Sequence, residues 1–316
     1  LFVCLFVCLF VCLFVCLFDS SFWYVLLIYF IKHDFNSFSI GTKKLLHSVA
    51  FVVFVFWVVQ ITSGIFLLGL LSYALDTQFD ELLYICMHGN YCWCTRILHM
   101  LVSNFAMLLL IVHISKAVST YRVISFEKYI LWVFGFVLFL LALGTAFSGY
   151  VLVSGNMSFW AAIVILNLIS VLPLVSSTII NTLLGSATLS DFGIRRFATL
   201  HFMLGIVSLL LVILHILILH RTEPSSCGHL ANDGVGQLVL ILLKDTHIVL
   251  YFLLCIFSFM LWSLIHPDNW GVFDTLATPE HIEPELYFLW TFALIKLHNS
   301  KLAGVLIFIS REPIFV

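Results

Sequence analysis

Charge is what this sequence has least of. Acidic and basic residues make up 9% of its 316 positions, where a soluble domain carries roughly 25%, and the mean hydropathy is +1.17. Such a chain is not built for water. Lysine and arginine total 14 and form no basic patch, which removes nucleic acid as a partner. Cysteine is less useful than its count suggests. Of nine, four belong to one repeat, and none falls in a CxxC or CxxCH pair. That pattern argues against a disulfide framework or a thiolate metal site, and any haem would not be held by the usual covalent motif.

What is present is apolar length. Runs long enough to cross the hydrocarbon of a bilayer, roughly 20 residues each, fall near 48–73, 97–118, 129–153, 198–219 and 238–264. Backbone polar groups can be satisfied in lipid within single helices, so the fold class is all-α, a polytopic transmembrane helical bundle in contact with membrane lipid. Lys43 and Lys44 precede the first span, and Lys116, Arg122 and Lys128 join the second to the third. The other side carries Asp76, Asp80, Glu81, Asp268, Asp274, Glu280, Glu283 and Glu285. Basic loops mark the inner side, so the second and fourth spans run in the same direction. The segments 157–173 and 266–298 read as interfacial. Residues 1–18 repeat LFVC and receive no function.

Two of the apolar runs carry paired histidines. HMLVSNFAMLLLIVH spans 99 to 113 and HFMLGIVSLLLVILH spans 201 to 215, each with histidines fourteen residues apart. That interval advances a helix by about 21 Å and falls about 40° short of four full turns. Each pair therefore lies nearly on one face, at two depths. In co-directional helices His99 meets His201 at one level and His113 meets His215 at the other. Intramembrane imidazoles are costly, and two opposed at each of two depths predict two haems between the second and fourth spans, held non-covalently by His99, His113, His201 and His215. With both axial positions filled, the task is electron transfer rather than oxygen chemistry. Zinc would need its ligands to converge on one point.

Small residues follow the same interval. Gly135 and Gly149 on the third span are also fourteen apart, and Gly64 on the first is preceded by Ala50 at that distance. Glycine lets a helix backbone come close to a wedged group. Arg96 and Arg196, just outside the outer histidines, stand where propionates need cations.

These stretches resemble cytochrome b of the quinol–cytochrome c reductases (complex III). The resemblance rests on QITSG (60–64), WCTRILH (93–99), GYVLVSGNMSFW (149–160), KD (244–245), HPDNW (266–270) and PEHIEPELYFLW (279–290), beside the histidine helices, and covers roughly 45 to 305. It implies two haem b groups, with Lys116 near the inner one, and two sites for ubiquinol and ubiquinone. An outer site would use Pro284, Glu285 and Tyr287, with Phe147 and Tyr150 lining it. An inner site would use His220, Asp245 and Ser225. It further implies coupled proton translocation, an iron–sulfur protein, cytochrome c1 and other complex III subunits as partners, a homodimeric complex, and the mitochondrial inner membrane, to which the 32 phenylalanines of an AT-rich organelle genome are suited.

The sequence departs from the family pattern at several places. Leu286 replaces the tryptophan of the family's PEWY motif, Val153-Ser154 replaces proline–tryptophan, Phe292 stands where tyrosine is usual, and Arg221 follows His220 in place of glutamate. The family's last two spans have no counterpart here, and a sixth would stop near Arg311. The expected domains are 1–44, an apolar extension with the LFVC repeat; 45–221, the haem-binding core; 222–300, the fifth span and PELY segment; and 301–316, a shortened sixth span. Two other readings use the same residues. One is a di-haem anchor of a dehydrogenase or hydrogenase with a single quinone site; the other is a transporter relaying protons through histidine.

Overall fold

The computed structural model describes residues 35–69, 71, 73–88, 92–120, 125–171, 176–184, 189–221, 245–254, 256, 267–296 and 299–311. The LFVC repeat, Ser225 and most of the 238–264 run lie outside them. The chain divides into two compact units. Leu1–Ser48 is described only as the start of the first helix; Val49–Val316 holds the rest of that helix and all the others.

Among the described residues four helices are long and apolar enough to cross a membrane. They belong to α1 (Phe35–Leu68), α3 (Cys92–Thr120), α4 (Phe126–Val151) and α7 (Asp191–Arg221). Their apolar stretches match four of the expected spans, with shifted ends that have local causes. The first stops at Leu68, with a turn at Gly69. Ser125 starts α4 early, its hydroxyl accepting from the Lys128 amide. Asp191 opens α7 ahead of the apolar run, where an acid suits the positive end of the helix, and its carboxylate also accepts from the Leu75 amide at 2.9 Å, capping α2 (Leu75–His88). Of the fifth expected span, only α8 (Asp245–Leu254) is described as a helix.

The segment expected near 157–173 forms α5 (Asn156–Ile169), whose 14 residues are too few to span. Its N-cap, Gly155, has no side chain to offer the free amides of the first turn. Asn269 supplies the missing acceptor from far along the chain, its Oδ1 taking the Ser158 amide at 3.0 Å. The Asn156 amide donates to the Gly271 carbonyl at 3.0 Å. A Cβ at Gly155 would collide with Asn269, so glycine is what admits this docking. Two of the motifs singled out in the sequence are thereby brought together.

Beyond α5 come α6 (Ser176–Leu184), 3-10 turns at Pro267–Trp270 and Leu286–Phe288, α9 (Leu289–Lys296) and α10 (Lys301–Arg311). Helix α4 packs most extensively on α7. One apolar cluster joins Val52 and Phe56 of α1 to Leu101, Val102 and Ala106 of α3 and Val249 of α8. Another ties Val151, Phe159, Ala162, Leu184, Ile194 and Phe197 into the ends of α4 to α7. A third buries Tyr287 against Met107, Phe139 and Leu143. Tyr287 therefore reaches into the bundle, and with it the PELY segment.

Candidate functional site

His99 on α3 and His201 on α7 face each other with ring centroids 6.3 Å apart. A transition metal bonded to two opposed imidazole nitrogens at roughly 2 Å each needs ring centres on the order of 6 Å apart, so the spacing admits one atom between them. Among the described residues no three metal-ligating side chains converge. Each histidine pair thus offers two ligands, and the remainder would come from a macrocycle.

Clearance for the imidazoles is set by glycine. A Cβ at Gly149 would stand 2.5 Å from Cε1 of His201, and one at Gly64 would stand 3.3 Å from Cε1 of His99. Any larger residue would push into the imidazoles. At the inner level the clearance is looser. His113 and Lys116 lie on α3 and His215 on α7, and a Cβ at Gly135 would stand 3.4 Å from Cε1 of His215. Ala50, by contrast, is exposed.

Sequence reasoning missed the groups that hold the rings. His201 Nδ1 lies 2.8 Å from the Thr145 carbonyl, and His99 Nδ1 lies 2.8 Å from Ser63 Oγ. Gln60 donates to the His99 carbonyl at 2.6 Å. A carbonyl can only accept, so the proton of His201 sits on Nδ1 and its Nε2 keeps a lone pair.

The outer pair opens into a cavity of about 260 Å³ that also touches Gly64, Arg96, Gly149, Tyr150, Asn269, Glu285 and Tyr287. Histidines and the PELY carboxyl, far apart in sequence, thus share one apolar chamber. Burial pushes the Glu285 carboxyl up to about 7. Burial first, and then the charges of Glu285 and Tyr150, hold the Tyr287 phenol well above its usual range. A carboxyl poised there can accept a proton near neutral pH.

Not every expected residue joins this chamber. Arg196 turns away, Nη1 donating to the Asn181 and Thr182 carbonyls at 3.0 and 2.8 Å, where it closes the last turn of α6. Phe147 packs edge-on against Phe197, and Pro284 is half-buried just beside the lining. His220 is exposed in the last turn of α7 and Asp245 begins α8.

Residues 35–223 match the family described as cytochrome b/b6/petB, and residues 272–316 match cytochrome b(C-terminal)/b6/petD. The chain belongs to the cytochrome b family. It is 35% identical over 254 residues to cytochrome b of Candida parapsilosis, a match covering 79% of this chain and 66% of that protein's length. The same fold occurs in a solved chain of a hyperthermophilic respiratory complex III, with a TM-score of 0.75, 22% identity, and coverage of 85% of this chain and 74% of that one. The cytochrome b fold is thus shared, and the histidines and glycines above lie within the first of the matched regions.

Proposed function

We propose that this chain is the di-haem, quinone-reacting membrane subunit of a quinol–cytochrome c reductase. The observation that carries the reading is the outer pair: two imidazoles at 6.3 Å, cleared by Gly64 and Gly149, in a chamber shared with Glu285. When bound, haem b would supply one-electron transfer. His99 and His201 would hold one such group, with Arg96 beside it, and His113 and His215 the other, with Lys116 nearby.

The chain's own residues do the proton work. Glu285 takes a proton from ubiquinol at the outer site and returns it to the acidic side, while Tyr150 and Tyr287 shape the pocket and exclude water. At the inner site His220, Asp245 and Ser225 hydrogen-bond the quinone oxygens and deliver protons from the basic side. Placing the two sites at opposite faces couples electron flow to charge separation. Partners carrying the iron–sulfur and c-type haem centres complete the reaction, since this sequence has neither motif. A homodimeric complex in the mitochondrial inner membrane is the setting that the family resemblance favours.

A reduced-minus-oxidised optical spectrum of the purified complex tests the reading. Two b-type haems per copy of this chain are expected, with Gly149→Leu removing one of them. A colourless protein would point to proton transport through histidine instead.

A further inference from the structure

The imidazoles differ in what stands behind them. Ser63 is 5% exposed, and its hydroxyl lies 2.7 Å from the Val59 carbonyl and 3.1 Å from that of Gln60. Its proton is committed to the α1 backbone, which leaves the oxygen as acceptor for His99 Nδ1 at 2.8 Å. That contact fixes the tautomer: Nδ1 keeps the proton and Nε2 keeps its lone pair. The adjacent Gly64 gives the ring its clearance. On the facing helix the Thr145 carbonyl does the same for His201, with Ser148 Oγ a distant second at 3.4 Å. At the inner level, Nδ1 of His215 is buried without a hydrogen-bond partner among the described residues.

We propose that Ser63 is a positioning residue that sets the tautomer and donor strength of His99 and thereby lowers the reduction potential of the outer haem. This rests on the haem reading above. The reason is electronic. An acceptor on Nδ1–H leaves more electron density on the ring, which makes Nε2 a better donor and favours the more highly charged ferric state. Of the acceptors at the outer level among the described residues, only Ser63 is both close and removable by mutation, because Thr145 acts through its backbone.

An optical redox titration of the purified complex at fixed pH tests this. Ser63→Ala is expected to favour reduction in one of the two haem steps by about threefold, roughly 28 mV at 59 mV per tenfold for one electron, leaving the other step in place. Ser63→Thr, which restores the acceptor, should titrate like the parent. Ser148→Ala should do so too, because the Thr145 carbonyl remains. Should Ser63→Ala load no outer haem, Ser63→Cys, a weaker acceptor, carries the same comparison. An unmoved potential, an equal shift of both steps, or a Ser63→Thr variant behaving like alanine overturns the role of Ser63. A parent complex without b-type signals overturns the haem reading instead.

Discussion

Glu285 is an ordinary acid by sequence and an unusual one by position. Burial raises its carboxyl to about 7, so between its unfolded value, about 4.3, and pH 7 the folded chain binds the extra proton. Folding is therefore penalised as pH rises through that window, by at most about 4 kcal/mol above it. Glu285→Gln should raise thermal stability at pH 8 and leave it unchanged at pH 4, which a melting series across pH would read. The same variant should flatten the rise of quinol oxidation with pH near 7 and lower its rate, since the base is gone. The histidine pairing was legible in the sequence because four imidazoles recur at one fourteen-residue interval in two apolar runs, where one alone is often just a polar group bonded inside a bundle. Ser63 was not. A serine in an apolar helix ordinarily bonds its own preceding turn, and Ser63 does that as well as facing His99.

Helix ends were less legible than helices. The four long spans follow from apolar length alone, whereas α5 owes its first turn to Asn269, whose partner Ser158 is 111 positions away. No local pattern announces a cap supplied at that distance. Asn269→Ala should cost about 1 kcal/mol, the usual loss for a capping acceptor. Asn269→Asp, which retains the oxygen, should recover most of it. Hydrogen exchange at the Ser158 amide reads the difference, with faster exchange expected in the alanine variant. Arg196 teaches the same lesson. Its place beside a histidine suggested a charge for a propionate, yet α6 offers two terminal carbonyls within reach, and the guanidinium goes to them.

Across the molecule, the most apolar span is also the least covered. Among the described residues only 6% of the membrane window of α7 is fully buried within the chain, although α4 packs along one side of it. The two loops to which lysine, arginine and the acids assign opposite sides lie at opposite ends of α4. Glu127 opens α4, while Asp274 lies next to the Val272–Gly155 bridge at its far end, a helix length of about 39 Å away. In sealed vesicles a membrane-impermeant maleimide should label Glu127→Cys and Asp274→Cys from opposite sides. Labelling of both from one side would refute the arrangement.

The spacing of the imidazoles acts as a ruler. Between His99 and His113, or His201 and His215, an exposed aliphatic residue such as Leu108 or Leu210 can be replaced by another with little consequence, unlike the packed Leu101 and Val102. Adding or deleting a single residue would swing one ring by about 100° around its rod and unseat one iron while sparing the other. What this part of the chain preserves is a count rather than a spelling.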